Sequence, residues 1–108
     1  MDGRLDIKPE WLASLKALLE EYVPEAEVWA YGSRVTGGGH DASDLDIVLR
    51  RPDDLSKPFT ELWELKDAIA ESDIPILVDV MDWARIPERF REEISNKYAV
   101  IKSKREHL

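Results

Sequence analysis

The feature that most constrains the fold of this chain is a short, glycine-rich connection between two strand-like segments. Val28–Tyr31 is an apolar run typical of a buried strand, and Asp44–Leu49 alternates polar and apolar residues at its start. Between them, the segment from Thr36 to Ser43 contains three successive glycines and is typical of a loop. Because this connection is too short for the long crossover that joins parallel neighbours, it favours an antiparallel or mixed sheet.

Helical and strand patterns alternate along the rest of the chain. Pro9 can open a helix, and the apolar residues after it recur at helical spacing until Pro24 ends the pattern. The later predicted elements are a second helix carrying Phe59, Leu62, Leu65 and Ile69, a third strand from Ile74 to Met81, a third helix from Pro87 to Asn96 and a short strand from Tyr98 to Ile101. This order predicts an α/β (α+β) fold in which a mixed β-sheet is flanked by helices. With 108 residues, we expect a single domain over residues 1–108.

Composition and charge exclude several classes of function. Acidic residues outnumber basic ones by 23 to 15, which gives a formal net charge of -8 and disfavours direct binding of nucleic acid. The chain contains no cysteine, so disulfides and thiolate metal sites are excluded. No apolar run approaches the ~20 residues of a membrane span, and we therefore expect a cytoplasmic protein without a membrane partner.

Aspartates on two predicted strands are the candidate metal ligands. Asp44 and Asp46 are two residues apart, so both side chains lie on the same face of a strand, with Cα atoms ~6.5–7 Å apart. Asp79 lies between Val78 and Val80 in the most apolar stretch, where an unpaired buried carboxylate would be costly. Three converging carboxylates repel one another, and a divalent cation removes that cost. Oxygen ligands without His or Cys favour Mg²⁺ or Mn²⁺, and Mg²⁺ commonly shares its ligands with phosphates, which indicates a polyphosphate substrate.

Each of these aspartates also has an ordinary structural interpretation. An Asp-x-Asp pair alone is more often a solvated strand face, and Asp79 could equally pair with a lysine or arginine. The metal-binding interpretation is favoured by Gly32-Ser33, which follows the first strand directly and is predicted to begin a short helix. Glycine lets the backbone approach a ligand closely, Ser33 offers a hydroxyl and an N–H, and a helix N-terminus attracts phosphate. Together, a phosphate-binding turn and an acidic pair form a specific constellation.

Three motifs carry a resemblance to a known family. They are Tyr31-Gly32-Ser33-Arg34-Val35-Thr36-Gly37, Ser43-Asp44-Leu45-Asp46-Ile47 and Val78-Asp79-Val80-Met81-Asp82-Trp83, and a Phe90-Arg91-x-x-Ile94 pattern follows them. With these motifs the chain resembles the minimal nucleotidyltransferases of the polymerase-beta-like superfamily over essentially its whole length. The resemblance implies a mixed sheet flanked by helices, two Mg²⁺ ions, and transfer of AMP from ATP to a hydroxyl acceptor.

The same resemblance gives the metal-binding roles to the three aspartates. The positions that match Asp44 and Asp46 bind both metal ions, and the position that matches Asp79 binds the catalytic metal and helps to activate the attacking hydroxyl. Two ions ~3.5–4 Å apart can clamp the attacking and leaving oxygens of an in-line displacement at phosphorus. The catalytic and the metal-binding residues are therefore expected to be the same three side chains.

The nucleotide-binding roles implied by the resemblance fall on the turn before the glycine loop. Gly32 and Ser33 would hold the β- and γ-phosphates of the nucleotide. Many relatives carry an arginine where this chain has Thr36, and a basic residue near the position of His40. Arg34 is therefore expected to bind the nucleotide and to take part of the role of stabilising the leaving group.

A protein partner is also implied. Larger relatives carry an additional helical domain that holds the base and the acceptor, and a chain of 108 residues is expected to have no room for one. Minimal nucleotidyltransferases are often paired with a small, all-helical HEPN-domain protein, so we expect a hetero-oligomer with such a partner. In such pairs the nucleotidyltransferase can act as an antitoxin by transferring AMP to a tyrosine hydroxyl of the partner, a ribonuclease toxin.

Other functions stay open on the sequence alone. The chain could be a non-catalytic antitoxin or subunit that masks its partner by contact, with its acids merely retained. It could be a small-molecule nucleotidyltransferase of the aminoglycoside-modifying type, although an acceptor-binding domain is missing. An acidic structural subunit without a ligand is a further possibility, and failure to bind a Mg²⁺-nucleotide would favour it.

Overall fold

A four-stranded mixed sheet forms the centre of the protein. The computed structural model describes residues 5–37 and 43–104. Its strands are β1 (Glu27–Tyr31), β2 (Leu45–Arg50), β3 (Val78–Asp82) and β4 (Ala99–Lys102), arranged in the order β3-β2-β1-β4. Strand β1 runs antiparallel to both β2 and β4, whereas β2 and β3 are parallel. The mixed sheet predicted from the short glycine-rich connection is therefore confirmed.

Within the part of the chain that the structure describes, four helices and one 3-10 turn flank this sheet. They are α1 (Pro9–Tyr22), α2 (Ser33–Thr36), α3 (Leu62–Ala70), the 3-10 turn Trp83–Arg85 and α4 (Glu88–Asn96). Helix α1 begins at a proline, as predicted, because that position needs no intrahelical donor. Among residues 5–37 and 43–104, no helix is long and apolar enough to cross a membrane.

The third strand is shorter than the sequence predicted. It was expected from Ile74 to Met81, but the strand begins at Val78. Pro75 has no backbone N–H to donate, so the segment around it cannot join a ladder of hydrogen bonds. Pairing begins where the Leu45 N–H donates to the Leu77 carbonyl at 2.9 Å, directly before the strand proper.

One face of the sheet is covered by α1 and α3 and holds the main core. Alternate residues of β1 and β2 point to this side, as the period of two requires. The residues with no exposed surface here include Val28, Ala30, Leu45, Ile47 and Leu49 from the strands, and Leu15, Leu19 and Leu65 from the helices. Because this face is filled, a one-residue slip of β2 would place charged side chains in the core, and the register is therefore strongly fixed.

The opposite face is divided between an aromatic layer and a group of aspartates. Trp29 of β1 stacks on Tyr98 with ring centroids 3.8 Å apart, and it meets Trp83 edge-on at 5.6 Å. The 3-10 turn and α4 cover this layer, which also includes Val48 of β2. Two residues before Val48, at the start of the same strand, the buried layer gives way to Asp46, which is half-buried. The fold therefore leaves polar side chains at one end of an otherwise covered face.

Candidate functional site

The structure brings the predicted aspartates together from two distant parts of the chain. In the parallel pairing of β2 and β3, Asp46 lies directly opposite Asp79. Neighbouring strands are ~4.8 Å apart, and paired residues project to the same face. Asp44 lies just before β2, close enough for its charge to act on Asp46. We refer to Asp44, Asp46 and Asp79 as the acidic cluster.

The electrostatics of the cluster show crowded negative charge. Burial raises the pKa of the Asp46 carboxyl above its usual value, and the charges of Asp79 and Asp44 raise it further. Tyr31, which pairs with Asp46 from the other side in β1, has its phenol pKa raised mainly by burial and then by the charges of Asp46 and Asp79. A divalent cation beside these carboxylates would offset the charge repulsion that adds to the effect of burial in both shifts.

Asp79 differs from the sequence-based expectation in its burial. Its two apolar neighbours in sequence suggested a buried carboxylate, but the side chain is exposed. Val80 points into the main core with only 1 % of its surface exposed, while Asp79 projects to the opposite, open face. β3 also stands at one end of the strand order, where water reaches it from outside. The significance of Asp79 therefore comes from its position opposite Asp46 and not from a burial cost.

The turn before α2 lies directly against the acidic cluster. Gly32 caps this helix with φ 82° and ψ -158°, a conformation that is essentially restricted to glycine. A Cβ atom at this position would be 2.5 Å from Oδ2 of Asp46, so the backbone approaches the carboxylate as closely as only glycine permits. Ser33 follows as the first residue of α2 and is partly exposed. We refer to Gly32 and Ser33 as the glycine turn.

Arg34 occupies a different environment from the one expected of a nucleotide ligand. Its side chain is buried, with 3 % of its surface exposed. The Nε atom donates to the Ser43 carbonyl at 2.9 Å, and Nη1 donates to the Asp6 carbonyl at 3.0 Å. These contacts hold the backbone of two separate segments, and the guanidinium is largely withdrawn from solvent.

Two further features near the site were not identified from the sequence. Asp82 is buried and accepts hydrogen bonds from the N–H groups of Phe59 (2.7 Å) and Ala84 (3.2 Å). A cavity of about 330 Å³ adjoins the glycine turn, and its lining includes Tyr31 and Phe90, whose rings meet edge-on. The meeting of a strand end with a helix 60 residues later has no local signal in the sequence.

The donor atoms of the site fit a hard divalent cation. Within the two described ranges, no group of three Asp, Glu or His side chains already stands in a metal-holding arrangement. Mg²⁺, however, usually takes only one or two carboxylates and completes its coordination with water and substrate phosphates. The opposed pair of Asp46 and Asp79 meets that requirement, and the charge of Asp79 contributes to the raised pKa of the Asp46 carboxyl. His40 and the neighbouring Asp41 lie outside the described residues.

Comparison with known sequences identifies the group of proteins to which this site corresponds. Residues 13–107 match the family described as Polymerase beta, Nucleotidyltransferase. The chain is 45% identical over 102 residues to a protein of Haemophilus influenzae named "Probable protein adenylyltransferase MntA". This alignment covers 94% of the chain and 88% of the relative. The match thus includes the glycine turn and the whole acidic cluster.

Comparison with solved structures shows the same fold. A chain described as "Crystal structure of the toxin-antitoxin with AMP-PNP" aligns with a TM-score of 0.69 and 20% identity, covering 85% of this chain and 73% of that one. A second, described as "Crystal structure the toxin-antitoxin MntA-HepT", aligns with a TM-score of 0.65 and 16% identity, covering 89% and 73% respectively. At these identities the likeness establishes the arrangement of helices and strands.

Proposed function

This chain belongs to the polymerase-beta nucleotidyltransferase family and is a nucleotidyltransferase, and from that premise we propose that it transfers AMP from ATP to a hydroxyl group of a protein partner. The observation that carries the proposal is the placement of Asp46 opposite Asp79 with Gly32 against it. Carboxylates and a close-approaching backbone are the groups needed to hold a metal-bound triphosphate. The 45% identical relative, named as a probable protein adenylyltransferase, supports AMP as the group transferred and a protein as the acceptor.

Under this proposal the acidic cluster holds Mg²⁺. Asp44 and Asp46 would contact two ions, and Asp79 would contact the one nearer the attacking hydroxyl. When bound, Mg²⁺ supplies charge neutralisation and polarises the phosphate that is attacked. Asp79, exposed on an edge strand, can also accept the proton that the acceptor hydroxyl loses as its oxygen bonds to the α-phosphorus and the bond from that phosphorus to the leaving pyrophosphate breaks.

The glycine turn would hold the β- and γ-phosphates of ATP. Ser33 is the first residue of α2, a position whose N–H has no acceptor within the helix, so under this proposal its N–H would donate to a phosphate oxygen. The absence of a side chain on Gly32 lets these phosphates lie beside the carboxylate of Asp46. Positioning and charge neutralisation of this kind supply most of the acceleration in phosphoryl-type transfers.

The acceptor that we propose is a tyrosine of a helical HEPN-domain toxin, which makes this chain an antitoxin acting in a cytoplasmic hetero-oligomer. One structural neighbour is described as a toxin–antitoxin pair of MntA and HepT, and another as a toxin–antitoxin with AMP-PNP. The open position of Asp79 supports an acceptor that approaches from outside, as a protein side chain must.

The test is the mass of a co-expressed partner before and after incubation with MgATP. We expect a mass increase of one AMP, which Asp46→Asn and Asp79→Asn each abolish. Asp73→Asn, an exposed aspartate in the turn before β3, is the matched control and should leave the modification intact. A partner that is neutralised equally well by Asp46→Asn, without gaining mass, would instead establish a non-catalytic antitoxin that acts by contact.

A further inference from the structure

Arg34 is a buried cation that connects the two parts of the site through the backbone. It follows Ser33 of the glycine turn in sequence, and its Nε atom donates to the carbonyl of Ser43 at 2.9 Å. Ser43 directly precedes Asp44, the first member of the acidic cluster. One side chain therefore ties the residue after the glycine turn to the residue before the acidic pair, across nine positions of the chain.

A third segment is fixed at the same point. Nη1 of Arg34 donates to the Asp6 carbonyl at 3.0 Å, and the Asp6 N–H donates in return to the Arg34 carbonyl at 2.7 Å. The segment before α1 is thus held by both the backbone and the side chain of Arg34. A planar guanidinium has several donors in a fixed fork, so it can hold two carbonyls at one spacing in a way that an ammonium cannot.

The burial of Arg34 indicates what this arrangement is for. With 3 % of its surface exposed, the Arg34 side chain has given up most of its hydration, and its hydrogen bonds to backbone carbonyls offset part of that cost. Arg34 connects the glycine turn to the acidic cluster, and these two parts must keep a constant spacing if phosphates at the turn are to meet a metal ion at the cluster. Misplacement of reacting groups by ~1 Å can cost about 100-fold in rate.

We propose that Arg34 is a positioning residue for nucleotidyl transfer, which sets the distance between the glycine turn and the acidic cluster without contacting the nucleotide. The inference rests on the proposed function for its activity readout. This positioning role differs from the leaving-group role expected from the sequence. It predicts that turnover and metal binding are lost together, whereas a leaving-group role predicts weaker phosphate binding alone.

The experiment compares Arg34→Lys and Arg34→Met with the wild-type chain. We expect kcat for AMP transfer to the co-expressed partner to fall about 100-fold in Arg34→Met, with the KM for ATP changed by less than about threefold, a change worth under 1 kcal/mol. Arg34→Lys keeps the charge but not the two-point contact, so it should recover only a small part of kcat. A second readout, calorimetric titration of Mn²⁺ in the presence of inorganic tripolyphosphate, should show weakened Mn²⁺ binding.

Lys102→Met is the matched control. Lys102 is also a buried cation, with 7 % exposure, and its Nζ donates to the Ala26 carbonyl at 2.6 Å and to the Pro24 carbonyl at 3.3 Å. Its removal should lower the melting temperature to a degree similar to Arg34→Met, while kcat and Mn²⁺ binding stay at wild-type values. The pair of variants therefore separates positioning from a general loss of stability.

Three outcomes would overturn the proposal. They are wild-type kcat and Mn²⁺ binding in Arg34→Met, a rise in the KM for ATP with unchanged kcat, and full rescue by Arg34→Lys. If Arg34→Met does not fold, Arg34→Lys carries the test, since retained wild-type turnover there is also contradictory. A wild-type chain that binds Mn²⁺ with tripolyphosphate but modifies no partner refutes the proposed function, and the binding readout still decides the role of Arg34.

Discussion

Replacement of Gly32 by alanine tests how closely the glycine turn and the acidic cluster must approach. The φ of 82° with ψ of -158° places Gly32 in a region that costs other residues about 1–3 kcal/mol. The added Cβ would also lie 2.5 Å from Oδ2 of Asp46, nearly 1 Å inside ordinary van der Waals contact. Since neither the strand nor the turn backbone can move freely, we expect the carboxylate to rotate away from its position.

Two quantities should therefore change in Gly32→Ala. The free energy of unfolding, measured by urea titration, should fall by about 1–3 kcal/mol, and a fall of 2 kcal/mol lowers the melting temperature by about 8–16 °C in a domain of this size. The rate of AMP transfer to the co-expressed partner should fall about 100-fold, because a metal ligand is displaced by about 1 Å. The rate is measured well below the melting temperature, so that the folded fraction stays near one.

Gly37→Ala is the control for backbone strain without displacement. Gly37 also has a positive φ, of 94°, but a Cβ built there meets nothing within 4 Å among the described residues. Alanine at this position should cost about 1–2 kcal/mol of stability and leave the transfer rate almost unchanged. Equal transfer rates in Gly32→Ala and Gly37→Ala would refute the reasoning that the contact with Asp46 matters.

Three further predictions concern stability, metal and nucleotide. Asp82→Ala leaves the buried N–H of Phe59 and the part-buried N–H of Ala84 without their acceptor, so urea titration should show a loss of about 2–4 kcal/mol while the rate per folded molecule is kept. Under the proposed function Mg²⁺ binds the folded cluster, so it should raise the melting temperature of the wild type and not of Asp46→Asn; equal shifts would exclude the cluster as the binding site. Because Phe90 lines the cavity beside the glycine turn, Phe90→Ala should weaken binding of AMP-PNP but not of tripolyphosphate, and calorimetry showing equal losses would contradict a nucleoside there.

The parts of the fold that follow from local rules were predictable from the sequence. A short connection between two strands limits their pairing, which gave the mixed sheet, and a proline at a helix start gave the onset of α1. The third strand was predicted four residues too early, because apolar residues from Ile74 onward match a strand in composition. Pro75 has no backbone N–H to donate to a neighbouring strand, so this segment does not pair despite its apolar composition.

The parts of the site that could not be predicted depend on contacts between residues that are far apart in the chain. The alternation predicted from Asp44 to Leu49 places Asp44 and Asp46 on one face, and in the structure Asp44 lies just before β2. Only the long-range register of β2 with β3 places Asp79 beside Asp46. Apolar neighbours made Asp79 look buried, although its position on the outermost strand leaves it in water. Arg34 was expected to bind the nucleotide because this chain lacks the basic residues that many relatives carry at the position of Thr36 and near that of His40. Its backbone partners emerge only from the packing of segments far apart in sequence.

The parallel pairing of β2 with β3 has a consequence for how binding at the acidic cluster affects the stability of β3 in the sheet. Strand β3 joins the rest of the sheet through β2 alone, and the acidic cluster has members on both sides of that single seam. Under the proposed function, an ion held between Asp46 and Asp79 would fasten β3 to β2, so its binding should slow the opening of this pair of strands. Amide hydrogen exchange along β3 would then record substrate loading at a distance from the nucleoside itself.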